Sequence, residues 1–93
     1  MPTIINVNGF RIIIWPVDHE PPHVHVFKGK GEAKINIGKG DEMPRLVTIH
    51  DLTKQEIRQA WEIVAENREV LLTAWRNIHG NFDKKRSRSG HSN

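Results

Sequence analysis

The period of the apolar residues changes once along this chain, at Thr53. Before it, apolar residues alternate or form short β-branched runs between turn residues. After it, Ile57, Trp61, Val64, Leu71, Leu72, Trp75 and Ile78 recur at three- and four-residue steps. Alternation puts side chains on one face of a strand, and the longer step puts them on one stripe of a helix. A single switch therefore predicts an α+β domain, with an antiparallel sheet of about four to five strands packed in two layers against a long C-terminal helix. Thr53-Lys54-Gln55-Glu56 marks where that helix begins. The Thr53 hydroxyl can accept from the Glu56 amide while the Glu56 carboxylate reaches back to the Thr53 amide. The helix is predicted to run to about His79 and to end at Gly80. Asn67 and Arg68 interrupt its stripe; two helices can meet there, although no Pro or Gly compels a break.

The strands follow from their punctuation. Thr3 to Val7 is apolar and β-branched. Asn8-Gly9 supplies the two positive φ angles of a type I′ turn, so Phe10 to Trp15 is the return strand of a hairpin. Ile12, Ile13 and Ile14 are consecutive, which fits a central strand or one whose outer face is covered. Pro16 ends it. A third strand spans about His23 to Lys28, with a turn at Gly29-Lys30-Gly31. A fourth spans Glu32 to Ile37, and a fifth Arg45 to His50. By alternation, Val24, Val26, Ala33, Ile35, Ile37, Val47 and Ile49 face the helix. The opposite face then carries His23, His25 and Phe27, with Leu46, Thr48 and His50 if the fifth strand pairs, and Trp15 or Ile14 depending on register. One helix cannot cover both faces, and the mixed composition of the second favours an interface.

Length and composition limit the function. Ninety-three residues make one domain, assigned to residues 1–82, with residues 83–93 as a basic, disordered tail. Lys84, Lys85, Arg86 and Arg88 against Asp83 account for the whole net charge of +3, so the body is neutral. A dedicated nucleic-acid domain usually carries its charge on the folded body. Lys28, Lys30, Lys34 and Lys39 against Glu32 still make the central hairpin locally basic. The absence of cysteine excludes disulfides, a thiolate nucleophile and a Cys-type zinc site. No apolar run reaches the ~18 residues of a membrane span. The first residues lack the features of a signal peptide, so the expected location is cytoplasmic. Gly29, Gly31, Gly38 and Gly40 are turn residues; no Gly-Lys-Ser/Thr precedes a helix, so there is no phosphate loop.

The chemistry concentrates in Asp18-His19-Glu20-Pro21-Pro22-His23-Val24-His25-Val26, which holds three of the six histidines. Each proline fixes its own φ and pushes the preceding residue towards extended geometry. His23 and His25 then share one strand face. Together with Pro2-Thr3-Ile4, the Asn8-Gly9-Phe10 turn and the closing Trp75-Arg76-Asn77-Ile78-His79, this stretch resembles the small prokaryotic family called domain of unknown function 4160. The resemblance runs from Met1 to about Gly80. It implies a stand-alone cytoplasmic protein, often encoded beside a second small protein in arrangements similar to toxin–antitoxin pairs, and no settled activity.

Three readings of the site follow. His23 and His25, with His19 or Asp18 from the preceding loop, can give three ligands to zinc or another divalent metal and leave a position open. Without metal, the paired imidazoles His23 and His25 can act as acid and base in a ribonuclease-like reaction, with Lys28, Lys30 and Lys34 stabilising phosphate. Phe27 stands where a third alternating His would be needed for a histidine triad. The reading that needs least special geometry is an interaction surface for a cognate small protein or a second copy of the chain. The expected role is therefore one component of a toxin–antitoxin-like module that binds a partner protein through the His-bearing sheet face. The alternative is a metal- or His-dependent hydrolase; whether the chain is an enzyme stays open. Trp61 and Trp75 are expected in the core, and Arg58, Glu62, Arg68 and Glu69 on a solvated helix surface. His79 is expected to favour the negative end of the helix dipole. His50 can approach the pair only if the fifth strand neighbours the third.

Overall fold

The computed structural model describes the backbone of residues 3–91 and the side chains of residues 4–79. Five strands, β1 (Thr3–Val7), β2 (Phe10–Ile14), β3 (His23–Lys28), β4 (Gly31–Asn36) and β5 (Arg45–His50), precede two helices, α1 (Lys54–Glu66) and α2 (Arg68–His91). The sheet is an antiparallel meander in chain order. Asn8 and Gly9 take φ of 49° and 82° and set Val7 opposite Phe10, as a type I′ hairpin requires. The next hairpin turns on Gly29-Lys30 alone, one residue tighter than expected, so Lys28 faces Gly31 and His25 faces Lys34. A side chain at Gly31 would strike Leu52 and the Asp51 carbonyl.

One sheet face supplies Phe10, Ile12, Ile14, Val24, Val26, Ala33, Ile35 and Ile37 to the core; the helices supply Ala60, Ile63, Val64, Leu71, Leu72 and Trp75. Alternation of buried and half-buried residues runs the length of β4. It fails in β5, where Lys34 faces Thr48 but Ile35 faces Leu46, so Val47 is an extra residue in a bulge. A bulge reverses which side chains point inward. Leu46, expected on the His face, therefore packs against the core, whereas Val47, expected against the helix, is exposed. Ile49 is also exposed, at 39%.

The helix start is as expected: Glu56 N donates to Thr53 Oγ1 at 3.1 Å, and Thr53 N to Glu56 Oε1 at 2.9 Å. The single long helix is not. It divides at Asn67, whose backbone leaves helical geometry and whose Nδ2 donates to the Ile63 carbonyl at 2.7 Å. That local bond competes with continuation of the ladder. Arg68 is half-buried instead of solvated: its guanidinium donates to the carbonyls of Ile37, Gly38 and Gly40 and ties the start of α2 to the β4–β5 loop. The α2 backbone continues past Gly80, where an end was expected. Glycine inside a helix costs about 1 kcal/mol, which disfavours but does not forbid continuation. The basic tail expected over residues 83–93 lies where side chains are outside the described residues, as are Ser92 and Asn93 entirely. No helix among the described residues is long and apolar enough to cross a membrane.

Candidate metal centre

The β2–β3 loop is pinned from three sides. Asp18 N donates to the Trp15 carbonyl at 3.1 Å, closing a turn after Pro16. Ile37 N donates to the Pro22 carbonyl at 2.9 Å, which fastens the loop's end to the strand beside β3. Helix α2 holds the middle: Trp75 Nε1 donates to Glu20 Oε2 at 3.1 Å, and His79 Nε2 lies 3.0 Å from the Asp18 carbonyl. The Glu20–Pro21 peptide is cis. These ties carry Asp18 over the first residues of β3.

Asp18, His23 and His25 converge there. Three ligand atoms, one from each, lie within 4.8 Å of one another. His23 Nε2 is 3.2 Å and His25 Nε2 3.4 Å from the same oxygen, Asp18 Oδ2. His23 is 5% exposed, wedged against the Trp75 ring at 5.3 Å between centroids. Its Nδ1 lies 2.9 Å from the Pro21 carbonyl. A carbonyl only accepts, so Nδ1 carries the proton, and Nε2 of a neutral ring presents a lone pair. His25 Nδ1 lies 3.6 Å from Glu32 Oε2, which favours the same tautomer for that ring.

With both rings neutral, two lone pairs point at one carboxylate oxygen. Asp18 Oδ2 and His25 Nε2 are buried and have no hydrogen-bond partner among the described residues. A buried polar atom left in this state costs about 1–3 kcal/mol. One proton relieves one of the two contacts. One divalent ion relieves both. Ligands held at 2.0–2.2 Å in tetrahedral geometry are spaced by ~3.3 Å, close to the two separations here. The outer partners suit a metal as well, because ligating histidines usually give their other ring N–H to a backbone carbonyl or a carboxylate. The Pro21 carbonyl takes that position behind His23 at 2.9 Å, and the Glu32 carboxylate faces His25 at 3.6 Å, beyond hydrogen-bond length.

The other sequence candidates separate. His19 is exposed and stands on the rim of a cavity of about 440 Å³ that Asp18, His23 and His25 also line; it is not one of the three converging residues. His50 faces Glu32 across β4–β5, is exposed, and is one strand too far from the pair because β5 neighbours β4 and not β3. His79, expected at the negative end of the helix, lies inside α2, which runs to His91; it stacks on Trp75 at 3.9 Å and reaches the loop. Phe27 lies under the Arg11 guanidinium, 5.6 Å from its centroid. The sequence alone points to neither Glu32 nor Trp75 as a site residue. The two-residue turn at Gly29-Lys30 was the available signal for Glu32, because it sets Glu32 opposite Phe27 and so diagonal to His25.

A family model described as Domain of unknown function (DUF4160) matches residues 9–76. The match includes the whole Asp18–Val26 stretch and leaves out the Pro2-Thr3-Ile4 start. No curated protein and no solved structure matches the chain.

Proposed function

The chain belongs to the DUF4160 family, whose description assigns no activity, and we propose from its site that it is a divalent-metal protein of hydrolase type. The observation that carries this reading is the pair of buried, unpartnered atoms, Asp18 Oδ2 and His25 Nε2, beside His23 Nε2. Asp18, His23 and His25 would hold the ion, at a point where all three line one cavity. When bound, an ion of the zinc class polarises an ester or phosphoryl oxygen and makes coordinated water more acidic. Pro21 and Glu32 orient the two imidazoles. Lys34, opposite His25 and lining the same cavity, supplies positive charge where an anionic group would sit. Bis(p-nitrophenyl) phosphate is the test substrate. Hydrolysis should stop on adding a chelator, return with zinc or manganese, and be absent in His23→Ala. Turnover that survives both the chelator and that substitution would refute the reading.

A second reading is favoured by Val17 and Val47, which are 78% and 46% exposed and lie on the rim of the same cavity. Exposed apolar side chains around a polar site suit a protein partner. In this reading the chain is one component of a toxin–antitoxin-like module, and its cognate small protein or a second copy covers the His-bearing face. Val17→Asp with Val47→Asp should abolish an association seen by size-exclusion chromatography and leave metal content unchanged. An association unaffected by both substitutions would place the contact elsewhere.

A further inference from the structure

A second cavity, of about 520 Å³, adjoins the metal cavity and shares Pro21 and Asn36 with it. The sheet register orders what lies between them. His23 is paired with Asn36, and Asn36 with Arg45, so these three residues form one row across β3, β4 and β5. The alternation that buries Ile35 and Ile37 puts Asn36 on the His-bearing face, and Leu46 facing the core puts its neighbour Arg45 there too. Adjacent strands are ~4.8 Å apart, so two steps place the Arg45 backbone ~10 Å from that of His23. The next row pairs His25 with Lys34.

The charges along this path are unequally used. Lys39 also lines the second cavity, but its ammonium is 3.3 Å from Glu20 Oε1. Glu42 Oε1 accepts from the Lys39 amide at 3.0 Å. Lys34 and Arg45 have no carboxylate partner among the described residues. Two free cations therefore flank Asn36, one beside the metal ligands and one in the adjoining cavity.

We infer that the row is a substrate track for a chain of phosphodiesters, a single-stranded oligonucleotide. One phosphate lies at the metal ligands with Lys34, and a neighbouring phosphate lies on the Arg45 guanidinium with Asn36. This deepens the hydrolase reading and rests on it. Arg45 suits the outer position, because its planar fork binds phosphate oxygens in pairs and stays charged. The neutral body is consistent with a short track: affinity comes from two placed cations and not from a broad field.

The test uses the full chain loaded with zinc and a fluorescein-labelled RNA hexanucleotide, titrated over a range of salt concentrations. Arg45→Gln should weaken binding about tenfold and lower the salt slope by ~0.7, the value for one lost contact to a single strand. Lys34→Gln should do the same. Lys54→Gln, on the exposed start of α1, should change neither. Equal losses from Lys54→Gln and Arg45→Gln would mean diffuse attraction and would overturn the inference. So would unchanged binding in Arg45→Gln. Metal content, measured on the same samples, separates the two claims. A metal-loaded protein whose RNA binding ignores Arg45 sinks the track alone, and a protein without metal sinks the hydrolase reading.

Discussion

Strand β3 has two faces, and they obey opposite rules. Val24 and Val26 point into the core and are fully buried in one apolar cluster with Ile12, Ile35 and Leu71. His23 and His25 point the other way, with their Nε2 atoms within 3.4 Å of one carboxylate oxygen and without a hydrogen bond to relieve it. The first face lowers the free energy of folding. The second raises it unless something positive occupies the gap. A chain of this size has only ~5–10 kcal/mol of stability in all, so an arrangement of the second kind points to a ligand.

The largest expected effect breaks the first face. Ile35→Ala should cost about 2–5 kcal/mol in urea unfolding, through lost burial and the cavity left behind. The metal affinity of the molecules that remain folded should hardly change. A parallel loss of affinity at low urea would mean that the two faces are not independent. The second prediction acts on the other face only. Glu32→Gln should weaken zinc binding about 10–100-fold, because the carboxylate behind His25 orients its ring, with little change in the urea midpoint. An affinity equal to wild type would remove Glu32 from the site.

The third prediction reverses sign between conditions. Asp18→Asn puts an amide N–H where the lone pairs now meet, so in excess chelator the variant should be more stable than wild type by about 1 kcal/mol. It should also lose metal binding. A midpoint that falls in chelator would mean that Asp18 is stabilised by a protonated imidazole, and the contrast between the faces would dissolve. The smallest effect is a control far from both. Thr53→Ala removes the cap of α1 and should cost about 1 kcal/mol with no change in metal affinity.

How legible each region was follows the same division. Local chemistry could be read directly. Asn8-Gly9 set one hairpin, the Thr53–Glu56 box began the first helix, and alternation put His23 and His25 on one face. Each depends on residues a few positions apart. What could not be read depends on pairing between distant segments. The bulge at Val47 exists only relative to β4, so alternation in β5 alone assigned Leu46 and Val47 to the wrong sides. Asn67 and Arg68 read in sequence only as a break in the apolar stripe, because the carbonyls that Arg68 holds lie some thirty residues earlier in the chain. Asp18 and His19 were equivalent candidates in sequence. Trp75 and His79, on a helix more than fifty residues away, grip Glu20 and the Asp18 carbonyl. With the loop so held, the Asp18 side chain turns inward and the His19 side chain stays at the rim.

The most direct measurement is the metal stoichiometry of the protein itself. The chain is purified without chelator or metal-affinity resin, dialysed into metal-free buffer and assayed by atomic emission, with zinc added back in a calorimetric titration. The wild type should retain or take up close to one equivalent of a divalent metal, and His23→Ala with His25→Ala should lose it. A wild-type protein that carries no metal and takes up none on titration would contradict the assignment of Asp18, His23 and His25 as metal ligands.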